Sequence, residues 1–142
     1  MIHNLSRLYD GCPPGIEAYH RLRLIEWFLL KPLGEVWGVT ITGAYRTTQA
    51  QAALTVAQKA KGTSQHTLGE AIDFVPDGSM SECYTWCLDN LRPYQALLEY
   101  GNGRPICIHL SIPSVVDTIV SKRLLFVDGL WRPFAGVFPV QA

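Results

Sequence analysis

Three residues in two short segments have the types and spacing to do chemistry together. The first segment is Ser64-Gln65-His66-Thr67-Leu68-Gly69-Glu70-Ala71-Ile72-Asp73, where an imidazole and a carboxylate seven residues apart are joined through a glycine that permits a turn. A strand follows the turn. Its period of two puts Ala71 and Asp73 on one face and Ile72 and Phe74 on the other. Ala71 leaves space beside the carboxylate, and His66 can fold back above that face from its loop. The second segment is Ile106-Cys107-Ile108-His109-Leu110-Ser111-Ile112. Alternation sends the three isoleucines and Leu110 to one face and Cys107, His109 and Ser111 to the other. Two imidazoles and one carboxylate make a three-ligand zinc site with a fourth position open. Such a site activates water without a serine or cysteine nucleophile.

The pattern Ser-x-His-x-x-Gly-x-Ala-x-Asp followed by Ile-His-Leu-Ser resembles the zinc D-alanyl-D-alanine carboxypeptidases and the related phage endolysin peptidases, the LAS-type metallopeptidases of family fifteen. The resemblance extends upstream to Ile41-Thr42-Gly43-Ala44-Tyr45-Arg46-Thr47 and takes in Tyr94-Gln95-Ala96-Leu97-Leu98-Glu99, so it spans about Val36 to Ile112. It implies one zinc per chain, held by His66, Asp73 and His109. It also implies that Arg46 binds the substrate's carboxylate or polarises its carbonyl, tasks that suit a guanidinium fork, and that Ser64 helps bind substrate. The implied fold is a hedgehog or D-Ala-D-Ala peptidase-like domain, and the implied substrate is bacterial peptidoglycan. The bond cut stays open among carboxypeptidase, cross-link endopeptidase and L-Ala–D-Glu endopeptidase activities.

The chain departs from the better-known members at the general base. They place an acid three residues before the second histidine, and here that position is Ile106, which alternation turns away from His109 towards the core. Glu99 is the alternative. If Gly101–Pro105 is a five-residue turn, Tyr100 pairs with Ile106, Glu99 with Cys107 and Leu97 with His109, which puts Glu99 on the face of His109 and diagonal to it. A slip of one residue would turn Glu99 away. The missing acid also feeds a competing reading, a non-catalytic module of the same fold that keeps zinc as structure or binds wall peptide as a phage structural part.

These residues need elements to position them. Ile16–Leu33 has the helical spacing of Leu22, Ile25, Leu29 and Leu33, widened by Trp27, Phe28 and Leu30, with Pro32 limiting its end. Val36–Thr42 reads as a strand, Thr48–Lys61 as a helix, Thr63–Phe74 as a loop running into a strand, and Ser81–Leu91 as a helix capped by Ser79 or Ser81. Two hairpins follow, Gln95–Ile112 and Arg123–Phe134, the second around a type I′ turn at Asp128-Gly129. The expected class is α+β, a small antiparallel sheet carrying a zinc cleft and flanked by helices.

Composition is consistent with this reading. The 142 residues suit one domain over 1–142, with a motif-bearing core of about 36–112 and a hairpin extension of about 113–142. Hydrophobic residues make up 48% and charged ones 17%, with a formal net charge of zero, which excludes binding to nucleic acid or membrane by bulk charge. The four cysteines, Cys12, Cys83, Cys87 and Cys107, are too few for a disulfide scaffold and are expected as buried or half-buried thiols. Trp27, Trp37, Trp86 and Trp131 are expected in the core or a cleft wall. No segment suits a membrane span or an export signal. Small size without a leader or wall-binding domain suits a phage lysin, released at lysis or carried in the virion beside other virion proteins. A host wall-remodelling carboxypeptidase would need export.

Overall fold

The computed structural model describes residues 15–46, 65–113 and 122–139. The expected helix over Thr48–Lys61, together with Ser64 and Cys12, lies outside them.

The chain enters with a continuous helical run: α1 (Ile16–Ile25), a π-helical turn (Glu26–Leu30) and α2 (Lys31–Val36). Leu22, Ile25, Leu29, Leu30 and Leu33 are buried along one side. Pro32 does not end the helix. The N–H of Lys31 reaches back five residues to the carbonyl of Glu26, and this wide turn accommodates a proline that has no N–H to offer. The helix therefore takes Val36, and the first strand, β1, starts only at Val39 and ends at Gly43. Trp27 and Phe28 do not widen the buried stripe: they are 55% and 66% exposed, with the Lys31 ammonium over the Trp27 ring.

A 3₁₀ turn (Gln65–Leu68) leads into β2 (Ala71–Pro76), and α3 (Met80–Asn90) follows. Ser79 caps α3, its hydroxyl accepting from the N–H of Glu82. Then come β3 (Gln95–Gly101), β4 (Arg104–Ser111), β5 (Lys122–Val127) and β6 (Leu130–Pro133). The class is α+β, with one six-stranded sheet in the order β1-β2-β4-β3-β5-β6. The sheet is mixed rather than antiparallel, because β5 runs parallel to β3. The register explains this: β4 ends at Ser111 opposite Gln95, and β5 begins at Lys122 opposite the same Gln95. β5 thus lies beside β3 on the side away from β4 and runs in the same direction as β3.

Alternation divides the sheet cleanly. Ile72 and Phe74 of β2, Ile108 and Leu110 of β4, Ala96 and Leu98 of β3, and Leu125 and Val127 of β5 pack with the helices in one core that includes Cys83, Tyr84 and Cys87. Each large apolar side chain so buried contributes about 1.5–3 kcal/mol. The Tyr84 hydroxyl donates to the carbonyl of Leu124, which ties α3 to β5. The opposite face carries Asp73, His109, Leu97, Glu99 and Cys107, and beyond them Phe126 and Trp131, whose ring centroids are 5.0 Å apart. Trp131 is 46% exposed there, so of the four tryptophans only Trp37 and Trp86 pack against the core.

The hairpin between β3 and β4 differs from its expected form in an instructive way. Gly101 pairs with Arg104, so the loop is two residues, Asn102-Gly103, both at positive φ (53° and 76°) as a type I′ turn requires. Tyr100 pairs with Pro105, Ile106 is the extra residue of a bulge, and Glu99 again faces Cys107. The shorter turn and the bulge offset each other, so the register at the functional rows is the expected one. Ile106 itself is 48% exposed and does not enter the core. The second hairpin turns at Asp128-Gly129, also at positive φ.

Candidate metal centre

His66, Asp73 and His109 converge. Asp73 on β2 stands directly opposite His109 on β4, and the 3₁₀ turn brings His66 over them. His66 Nε2 lies 3.1 Å from Asp73 Oδ2, and His109 Nδ1 lies 2.8 Å from Asp73 Oδ1. The two imidazoles are edge to face with centroids 5.2 Å apart. The candidate donor atoms all fall within 4.8 Å of one another, so the group could hold a metal ion. His66 is 4% exposed, while the Asp73 and His109 side chains retain 21% and 13%, so the group opens towards solvent on their side.

Local structure accounts for this placement. Gly69 lies between the two ligands of the first segment at φ +71°, and an added Cβ would stand 2.6 Å from the carbonyl oxygen of Ala18. The turn can thus press against α1 only with glycine there. The Gly69 N–H donates to the carbonyl of His66, and Arg21 donates to the carbonyl of Leu68. On the other side, β1 carries a bulge at Thr42 that sets Gly43 against Asp73, where a Cβ would come within 3.3 Å of Oδ2. Glu70 is fully buried, and its carbonyl accepts from Ile112 N–H, closing β2 onto the end of β4.

The proton inventory of His66 tests whether these residues fit a cation. Its Nδ1 lies 2.6 Å from the carbonyl oxygen of Ala44, which can only accept, so Nδ1 carries the hydrogen. In the neutral ring Nε2 is then a bare lone pair aimed at a carboxylate oxygen. Two acceptors at that separation need a positive charge between or upon them, either a second ring proton or a metal. The carbonyl also fixes the ring in the orientation that metal-bound histidines take from their outer partners. Tetrahedral bonds of about 2.0–2.1 Å hold donors about 3.3 Å apart, close to the 3.1 and 2.8 Å that separate Asp73 from the two imidazoles. The donor set therefore fits. In the metal-free alternative, with the second ring proton on His66, burial pushes the Asp73 carboxyl up, but the facing charge of His66 and hydrogen bonds from both imidazoles outweigh it and hold the group well below the usual carboxylate range.

The remaining candidates stand around this group. Glu99 lies on the same sheet face, one row along β3 from Leu97, which is opposite His109. Its Oε2 accepts a hydrogen bond of 3.1 Å from the Cys107 thiol. Burial, the Asp73 charge and Glu99 push that thiol up, so it stays protonated. Arg46 is joined to the centre through its backbone, its N–H donating to the carbonyl of His66, and its Nε is shielded from water without a partner among the described residues. Two contributors were not foreseen. The Ala44 carbonyl leaves no trace in residue type, whereas the Cys107–Glu99 contact follows from the same register that placed Glu99.

Comparison with protein-family models, curated proteins and solved structures returns no match for this chain. No helix among the described residues is long and apolar enough to cross a membrane.

Proposed function

We propose that the chain is a zinc-dependent peptidase of the D-alanyl-D-alanine carboxypeptidase and phage endolysin type, hydrolysing peptide bonds in bacterial peptidoglycan. The observation that carries the reading is the meeting of His66 Nε2, Asp73 and His109 Nδ1 on an open sheet face, with His66 turned by Ala44 so that its lone pair points inward. Two imidazoles and a carboxylate are the donor set of catalytic rather than structural zinc sites, which keep one position open. Zinc held there supplies Lewis-acid polarisation of a carbonyl and activation of a water.

The chain's own residues then have defined tasks. Glu99 accepts the proton of the water that attacks the scissile carbonyl carbon and delivers it to the nitrogen as the C–N bond breaks. Arg46, next to the His66 backbone, fixes a substrate carboxylate or carbonyl with its planar fork, and Ser64 contributes a hydroxyl to substrate binding. The hedgehog-like fold assignment rests on the same motif and on ligands carried by adjacent antiparallel strands. Delivery by a phage, as a free lysin or beside other virion proteins, accounts for a small wall-active domain.

One specific observation favours a second reading, a non-catalytic zinc module that binds wall peptide: Ile106 occupies the position of the expected acid and is a solvent-exposed bulge residue. Purified peptidoglycan separates the two. Zinc-loaded wild type should release muropeptides, identified by mass spectrometry, and Glu99→Gln should keep zinc and fold while losing roughly 10²-fold or more in kcat. Wild type that holds zinc and cleaves nothing would establish the module instead. A fully active Glu99→Gln would pass the base role to another acid, such as Glu70 or Asp77.

A further inference from the structure

We infer that Cys107 is the positioning residue of this site: its thiol holds one oxygen of the Glu99 carboxylate and so sets the other for proton transfer. The inference rests on the peptidase reading above and concerns a residue to which the motif gives no task. Cys107 and Glu99 are directly opposed across β3 and β4, and Sγ lies 3.1 Å from Oε2. Among the described residues that thiol is the one hydrogen-bond partner of the carboxylate. The other neighbour of Glu99 across the sheet, Phe126 on β5, offers no donor.

A glutamate side chain on a strand has three rotatable bonds, and beside a cation it has a competing resting place as a further ligand. A donor fixed on the neighbouring strand removes that freedom. It commits Oε2 and leaves Oε1 to take a proton. The thiol suits the task because it stands directly opposite Glu99 and outside the cluster of potential metal donors found among the described residues, His66, Asp73 and His109.

The backbone is arranged to preserve this contact. The bulge at Ile106 inserts one residue between the tight Asn102-Gly103 turn and Cys107. Were Ile106 paired regularly after the same two-residue turn, it would face Glu99, and Cys107 and His109 would both turn to the other face of the sheet. An isoleucine left 48% exposed accompanies that register.

The test uses Cys107→Val, which keeps shape and loses the donor, and Cys107→Ser, which keeps a donor. Each is compared with wild type and Glu99→Gln as the zinc-loaded full chain on purified peptidoglycan. Cys107→Val should lose about 10-fold or more in kcat with KM within about twofold, and Cys107→Ser should recover most of it. A second readout needs neither activity nor metal. The Raman S–H stretch of Cys107, identified by its disappearance in Cys107→Ser, should lie below that of a free thiol and move up in Glu99→Gln. Wild-type kcat in Cys107→Val while Glu99→Gln is inactive would overturn the positioning role and leave the base in place. Full activity in Glu99→Gln would remove the base itself, and the role of Cys107 with it. An S–H band at the free-thiol frequency would overturn the contact directly, including when a valine variant fails to fold.

Discussion

Zinc should stabilise this chain with a slope that one site dictates. Three donors that meet only in the folded chain would bind the ion when β2, β4 and the 3₁₀ turn are assembled, and not otherwise. Folding stability then rises by RT ln(1 + [Zn]/Kd), or about 1.4 kcal/mol for each tenfold increase in free zinc above Kd. For 142 residues the entropy of unfolding near Tm is about 0.3 kcal/mol/K. The two figures together give a Tm that climbs about 4–5 °C per decade of free zinc once the site is filled. The assay is thermal unfolding across a chelator-buffered zinc series, with wild type, His66→Ala and His109→Ala side by side. Wild type should show the single-site slope, and both alanine variants should be flat over the same range. A flat wild type would refute the assignment of a metal centre, and an undiminished slope in both variants would place the ion elsewhere.

Other outcomes follow from neighbouring residues. Gly69→Ala should cost about 1–3 kcal/mol in urea unfolding, since it combines a positive φ with a Cβ pressed on the Ala18 carbonyl; an unchanged midpoint would contradict that packing. In the metal-free protein the depressed Asp73 carboxyl contributes stability that is complete above its unfolded value of about 4 and is lost as pH falls below it. Urea midpoints should therefore drop from about pH 4 downward in wild type and change less in Asp73→Asn. Arg46→Lys should keep its zinc, measured by metal analysis, and lose about 10-fold or more in kcat/KM on peptidoglycan; unchanged turnover would leave Arg46 without a substrate contact.

Much of the candidate site was legible because it depends on short-range rules. Period two alone placed Asp73 and His109 on the polar faces of their strands, and cross-strand pairing placed Glu99 beside them. What escaped was set by the backbone. The Asn102-Gly103 signal for a two-residue turn was present in the sequence, but Pro105 drew the expected turn out to five residues, and a bulge has no residue-type signature at Ile106. The parallel pairing of β5 with β3 depends on which side of the sheet the chain takes after Ser111, which local patterns do not encode. Pro32 misled because its rule assumes an α-helical ladder, and the π turn before it relaxes that rule. Trp27, Phe28 and Trp131 show the one-way nature of hydrophobicity: large apolar residues fill cores, but not every one of them is in a core.

The sheet order has a kinetic consequence. The β3–β4 hairpin closes around two residues and by itself gathers Glu99, Cys107 and His109. Asp73 joins His109 across 36 positions of sequence, when β2 docks. One of the three ligands and the proposed base are therefore assembled locally and early, and the other two ligands wait for a long loop to close. An ion that needs all three gains its affinity late on the folding path. It should act as a latch on the finished sheet, slowing unfolding in proportion to its binding while leaving the refolding rate nearly as it was.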